Sequence, residues 1–232
     1  MSKIVQFSTI GALMAGYFRG EYDASALKHP DAFGLGCSQG INGELTIFQG
    51  KVWEATAGEA PHLLRQEMLP FLQVTEFVPE RTASVVNIDQ HNAEQHLNQF
   101  IPLQNIFLAV CIEATFDHLV IRRPQPASDI PRDINDFART QQEDTLNNIN
   151  GYLIGFWTPV LFGRISVPGF HFHFIDEKRN NSGHVLEFSA KKAILKYQEK
   201  QTIEVTNPGS AEYKNMTIDL SSLDKSIEHV EK

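Results

Sequence analysis

Cysteine is scarce in this 232-residue chain, which has only Cys37 and Cys111. Two cysteines build no disulfide framework, and without a C-x-x-C pair no cysteine zinc clip is available. No apolar run approaches the roughly 20 residues that a membrane-spanning helix needs. A dinucleotide or phosphate-binding glycine signature is also missing. Positive charge is in deficit: 20 basic residues stand against 28 acidic ones, a formal net charge of −8. That balance repels a phosphate backbone and an anionic lipid surface, so neither nucleic acid nor membrane is expected as a partner. A small acidic substrate is not excluded, because a local positive site can override the global field. The stretch from Phe7 to Phe18 is interrupted by Ser8, Thr9, Gly11 and Gly16 and has no clear cleavage site. It reads as mature protein, which predicts a cytoplasmic location.

What is present is ample for a core. Hydrophobic residues make up 42% of the chain, with 16 Phe, so disorder is excluded as the main state. Ile10, Leu13, Met14, Tyr17 and Phe18 follow Ser8 at the spacing of an amphipathic helix that Gly20 can end. Asn42-Gly43 reads as a hairpin turn, and Glu44 to Phe48, Gln49-Gly50 and Lys51 to Trp53 read as strand, turn and strand. Pro70 to Val78 predicts another strand, and Asn92 to Gln99 a helix capped by Asn92. Asn105 to Arg122 is rich in β-formers and predicts one or two long strands. Residues 134–150 read as a polar helix, residues 152–174 as strand, Val185 to Tyr197 and Thr202 to Val205 as further strands. Leu223, Ile227 and Val230 sit at helical spacing near the end. Strands outnumber helices and rarely alternate with them. The expected class is therefore α+β, with mixed or antiparallel sheets, flanking helices and two sheet subdomains. The expected division is 1–106 and 107–232, weakly signalled enough that one domain is an alternative.

The chemistry concentrates in Gly169-Phe170-His171-Phe172-His173-Phe174 and the following Gly183-His184. On a strand, i and i+2 share a face, so His171 and His173 project together while the phenylalanines point the other way. The polar run Asp176 to Gly183 lets the chain reverse. A register that sets His184 opposite or diagonal to His173 brings three imidazoles together, and a slip of one residue removes the third. Three neutral ring nitrogens on a hairpin suit Zn²⁺ with open positions for substrate, and other divalent metals would accept the set. An H-x-H pair is also common on half-buried strands without any metal. Glu44 follows a turn and reads on composition as a solvated strand end. Arg122 ends a buried-looking strand, where a cation needs an anion from the protein or a ligand. Glu228 and Glu231 read as helix surface, and Cys37, among glycines, as a small buried residue.

Taken together, these blocks resemble the α-acetolactate decarboxylase family over most of the chain. Phe7-Ser8-Thr9-Ile10 with Ala12-Leu13 and Gly16 is similar to its opening. Phe33-Gly34-Leu35-Gly36, Asn42-Gly43-Glu44-Leu45, Thr115-Phe116 with Arg122, and Gly151, Leu153, Gly155-Phe156 and Pro159 resemble its later blocks. Val167-Pro168-Gly169-Phe170-His171-Phe172-His173-Phe174 and Gly183-His184-Val185-Leu186 are the most specific. The resemblance implies zinc ligands at His171, His173 and His184 and functional roles for Arg122, Glu44 and Glu231. Glu231 is carried over from its position near the chain end alone, with Glu228 as a substitute. Departures are Cys37 where the family usually has Thr, Ala114 where it has Gly, and a compressed Arg123-Pro124-Gln125-Pro126 after the arginine. They bear on pocket shape and rate more than on the metal.

The resemblance implies decarboxylation of (S)-2-acetolactate, a 2-hydroxy-3-oxo acid, to (R)-acetoin and CO₂, on a branch toward acetoin and butanediol that begins at pyruvate. It implies a metal and no organic cofactor, because a divalent ion can polarise the carbonyl that receives the electron pair. It also implies a homodimer. Two rivals remain: a cupin-like metal oxygenase using Asp176 or Glu177 as a further ligand, and a non-catalytic, zinc-stabilised binding module.

Overall fold

The computed structural model describes residues 3–24, 27, 29–65, 67–125, 134, 137 and 141–231, with no side chain described at 228, 229 or 231. In chain order the first half supplies β1 (Ile4–Phe7), α1 (Ile10–Met14), β2 (Tyr22–Asp23), β3 (Ala32–Cys37), β4 (Glu44–Phe48), β5 (Lys51–Ala55), β6 (His62–Leu63), β7 (Met68–Leu69), β8 (Phe71–Glu76), β9 (Arg81–Asp89) and α2 (Ala93–Asn98). The second half supplies β10 (Phe107–Phe116), β11 (His118–Pro124), β12 (Gln141–Leu146), β13 (Ile149–Thr158), β14 (Gly169–Asp176), β15 (Ser182–Lys200), β16 (Ile203–Thr206), α3 (Ala211–Asn215) and α4 (Leu220–Glu231). The class is α+β, as the residue pattern predicts.

Two large sheets carry the fold. The first runs β16-β1-β8-β3-β4-β5-β6, antiparallel except where β1 meets β16 in parallel. The second runs β10-β13-β14-β15-β11-β12, and β15 also pairs with β10 and β9. Pairing of β10 with both β13 and β15 closes the circuit β10-β13-β14-β15 into a barrel, which removes open edges along that path. Its closure depends on the 19 residues of β15. One end of that strand lies between β14 and β11, the other between β10 and β9. The sheets do not follow two consecutive runs of chain: β9 precedes residue 107 yet pairs in the second sheet, and β16 follows it yet pairs in the first.

Alternation along the strands sorts the core. Phe172 and Phe174 join Leu108, Val110, Ile112 and Leu153 inside the barrel. Ala109, Cys111, Ile154, Phe156 and Ile175 point outward and meet Phe33, Leu35 and Cys37 of the first sheet. The far face of that sheet packs Leu45, Ile47, Leu72 and Val74. The layer between the two sheets is closed by α1, through Ile10, Leu13 and Met14, and by α4, through Leu223, Ile227 and Val230. Gly155 permits close approach of β13 to β14, since a Cβ there would lie 1.9 Å from the His171 carbonyl oxygen.

Several elements differ from the residue-level expectations. Helix α1 ends at Met14, because Thr9 caps its start and Gly16, at φ 96°, turns the chain out of helical geometry. Tyr17 and Phe18 are nonetheless buried. Asn42-Gly43 is no two-residue hairpin turn: Asn42 has φ −81° and ψ −10° at the end of a 3-10 turn, Gln39–Ile41, in a longer β3–β4 connection. The two-residue turn is Gln49-Gly50, with φ of 53° and 71°, the left-handed pair such hairpins require. Gln141 to Leu146, expected as helix, is strand β12 paired with β11; Ile134 and Phe137 are helical, and the rest of that segment lies outside the described residues. Asn92 precedes α2 as expected but makes no side-chain cap; its Oδ1 accepts from the Asp89 amide instead. No helix among the described residues is long and apolar enough to cross a membrane.

Candidate metal centre

The site lies between the sheets, on the outer face of the barrel. Strands β14 and β15 pair His173 directly with His184, the register that brings the third imidazole in. The three rings lie 5.1–5.5 Å apart, centroid to centroid. One ligand atom from each of His171, His173 and His184 can be chosen with all three within 4.8 Å of one another, and all three residues are buried.

Burial sets their chemistry. Desolvation pushes the His171 ring well below its usual value, with His173 and the Arg122 charge acting the same way. It pushes His173 down to about 3, against the opposing hydrogen bond to Leu45 and with the Arg122 charge adding to the drop. Both rings are therefore neutral near pH 7, the form in which imidazole donates a lone pair to a metal. The ring of His173 is also oriented. Its Nδ1 donates to the Leu45 carbonyl at 2.8 Å, a partner that can only accept. The proton is thus on Nδ1, and Nε2 keeps its lone pair, the arrangement that outer hydrogen bonds impose on metal-binding histidines. Donor type, neutrality, spacing and orientation together fit a divalent ion.

Around the triad the structure gathers the other expected residues. Glu44 opens β4, opposite Cys37 on β3, and its Oε2 lies 3.5 Å from His173 Nε2. It is buried, not the solvated strand end its composition implies. Arg122 on β11 pairs with His184 across the strands. Its Nη1 donates to the Val230 carbonyl of α4, and its buried Nε has no hydrogen-bond partner among the described residues. Cys37 is buried on the wall of the same cavity. Glu231 ends α4, one residue after the carbonyl that meets Arg122, but its side chain and that of Glu228 lie outside the described residues. Ala114 lies on β10 against the barrel core, away from the cavity wall.

The cavity is small, with a volume of about 20 Å³. Residue-level reasoning missed most of its wall: Ile10, Leu13 and Met14 of α1, Gly36, Ile41, Phe71, Ile134 and Phe137. A helical stripe is the signal for α1, and it is the same signal that core residues give. Ile41 is β-branched yet sits at φ 54°, a conformation that costs energy and that sequence does not reveal. Asp176, considered above as a metal carboxylate, is engaged elsewhere: its oxygens accept from the Asn180 amide at 2.8 Å and the Asn181 side chain at 2.9 Å. Glu177 is exposed.

Comparison with known proteins agrees with this geometry. A family model described as alpha-acetolactate decarboxylase matches residues 4–220. The alpha-acetolactate decarboxylase of Bacillus subtilis is 28% identical over 233 residues, covering 100% of this chain and 91% of that protein. Those of Klebsiella aerogenes and Methylococcus capsulatus are 30% and 32% identical, over 99% and 83% of this chain and 89% and 75% of theirs. The crystal structure of the Bacillus subtilis strain 168 protein superposes with a TM-score of 0.93 at 28% identity, covering 99% of both chains. A Staphylococcus aureus structure, titled as a protein of unknown function similar to alpha-acetolactate decarboxylase, gives 0.90 at 30% identity, over 98% of this chain and 99% of that one.

Proposed function

This chain belongs to the alpha-acetolactate decarboxylase family, and from that premise we propose that it converts (S)-2-acetolactate to (R)-acetoin and CO₂ with a divalent metal, Zn²⁺, on His171, His173 and His184. It is a carboxy-lyase of the kind its curated relatives are named for. The observation that carries the metal reading is the buried triad of imidazoles, with the His173 proton placed on Nδ1 by Leu45.

A metal bound there supplies Lewis acidity, polarising the substrate ketone that receives the electron pair as CO₂ leaves. The chain supplies the rest. Arg122 lines the cavity with a buried Nε–H that has no partner among the described residues, and there its guanidinium pairs with the substrate carboxylate or the developing oxyanion. Its contact with the Val230 carbonyl holds the guanidinium in place. Glu44, against the triad, orients the substrate hydroxyl and takes part in proton transfer, with Glu231 as the other candidate for the proton. Delivery of that proton to one face of the enediolate gives one acetoin enantiomer. The apolar wall, with Leu13, Met14, Phe71 and Cys37, receives the alkyl groups and excludes water.

The substrate's origin from pyruvate, a cytoplasmic location and a homodimer complete the reading. The test is acetoin formation from racemic 2-acetolactate before and after chelation and after Zn²⁺ re-addition. Chelator-sensitive, zinc-restored production of one enantiomer is expected. Acetoin formation that persists after complete metal removal would contradict the metal; no acetoin from the folded, zinc-loaded protein would contradict the reaction. Oxygen uptake with a redox-active metal would instead favour an oxygenase.

A further inference from the structure

The metal hairpin is pinned at its tip as well as at its histidines. Strand β4 presents Glu44, Thr46 and Phe48 on one face, alternating with Leu45 and Ile47, which pack on the other side of the sheet. That face runs along the β14–β15 hairpin in successive contacts. Glu44 Oε2 is 3.5 Å from His173 Nε2, and the Leu45 carbonyl takes the His173 proton at 2.8 Å. Next, Thr46 Oγ1 meets Ser182 Oγ at 2.9 Å, both residues fully buried, and Ser182 Oγ donates on to the Phe174 carbonyl at 2.6 Å. Last, Phe48 lies under the guanidinium of Arg179, the turn residue of the hairpin, at 5.4 Å.

Arg179 is held from several sides. Its guanidinium carbon also lies 6.0 Å from the Trp53 ring and 5.9 Å from the Tyr152 ring. Its Nη1 donates to the Asp176 carbonyl at 2.6 Å and its Nη2 to Gln49 Oε1 at 3.4 Å. The two hairpin turns meet through these contacts. The β4–β5 turn is the left-handed Gln49-Gly50 pair, and Arg179 itself has φ 61° in a turn tied by Asp176. A planar cation over three aromatic faces, with its fork on two acceptors, is a contact that Lys cannot reproduce.

We propose that Arg179 is a positioning residue for the reaction: by locking the tip of the hairpin that carries His173 and His184 to the tip of the hairpin that carries Glu44, it fixes the reach between the Glu44 carboxylate and the metal position. This rests on the decarboxylase reading for its kinetic consequence but not for its geometric one. A displacement of about 1 Å at a reacting group costs on the order of 10²-fold in rate. Loss of one of several clamps relaxes the hairpins by less.

The test compares wild type with Arg179→Ala and Arg179→Lys by steady-state kinetics, zinc affinity from chelator competition, and the visible spectrum of the cobalt(II)-substituted protein. Arg179→Ala is expected to lower kcat about tenfold with KM within twofold, to keep zinc affinity within threefold, and to shift the cobalt spectrum in the direction that Glu44→Gln shifts it. Arg179→Lys is expected to fall between the two, at about a threefold loss of kcat. An unchanged cobalt spectrum and wild-type kcat in Arg179→Ala would overturn the proposal. So would a loss of kcat that appears only near a lowered Tm, which is the mark of a purely structural role. If Arg179→Ala does not fold, Arg179→Lys with wild-type kcat and spectrum overturns it equally. Failure of wild type to decarboxylate 2-acetolactate would strike the functional reading alone, because the cobalt spectrum reports the Glu44 geometry without turnover.

Discussion

Arg122 is a buried cation on the wall of the cavity that the three histidines line. Its Nε–H has no partner among the described residues, its Nη1 donates to a neutral carbonyl, and the side chain lines the cavity. Lysine at 122 would keep the charge and lose the planar fork. Arg122→Lys is expected to lower turnover about 10²–10³-fold, the scale of losing one preorganised donor, with zinc content unchanged. A single-turnover assay on zinc-quantified protein checks this, and wild-type turnover would remove Arg122 from the reaction. The triad was legible at this scale because Phe and His alternate through residues 170–174, which leaves the histidines a single face once the phenylalanines enter the barrel. The partners that orient these groups were not legible. Leu45 and Val230 act through backbone carbonyls, which every residue carries, and composition assigned Glu44 to solvent because nothing local shows that another sheet will cover it.

Among elements, long strands with clean alternation were readable and polar edge strands were not. Strand β12 is Gln-Gln-Glu-Asp-Thr-Leu, half-buried or exposed throughout, and gives no period-2 signal. What makes it a strand is its ladder with β11, reinforced by Arg123 donating to Asp144 at 2.6 and 2.9 Å, a tertiary contact that overrides local propensity. The exit of β15 carries a different device. The buried amine of Lys200 donates to Gln198 Oε1 at 2.7 Å and to the Glu76 carbonyl at 2.8 Å. Burial pushes it from 10.5 down to about 8, partly offset by the charges of Glu80 and Glu76. Between those two values the unfolded chain holds more proton on this lysine than the folded one does. Its contribution to stability therefore rises with pH across that window and is flat below it. Urea unfolding of wild type and Lys200→Met across that window is expected to show wild type gaining on the variant as pH rises. A pH-independent difference would contradict the shift.

At the level of the whole molecule the site exists because two sheets and two helices meet. The hairpin that carries the three histidines belongs to the barrel, Glu44 and Cys37 to the other sheet, the apolar wall to α1, and the carbonyl under Arg122 to α4. Class and hairpin were readable from local pattern, but barrel closure was not: β10 meets β15 across more than 70 residues of chain, and such pairings leave no local trace. The same arrangement explains how all three imidazoles can be buried and still face a cavity. The central claim is that this triad holds the metal on which turnover depends. It is tested most directly by His173→Ala, measuring bound zinc per chain and acetoin formation from 2-acetolactate on the same folded sample. Zinc retention and turnover are expected to be lost together while the far-ultraviolet circular dichroism stays that of wild type; a zinc-free His173→Ala protein that makes acetoin at the wild-type rate would contradict a role for the metal in turnover.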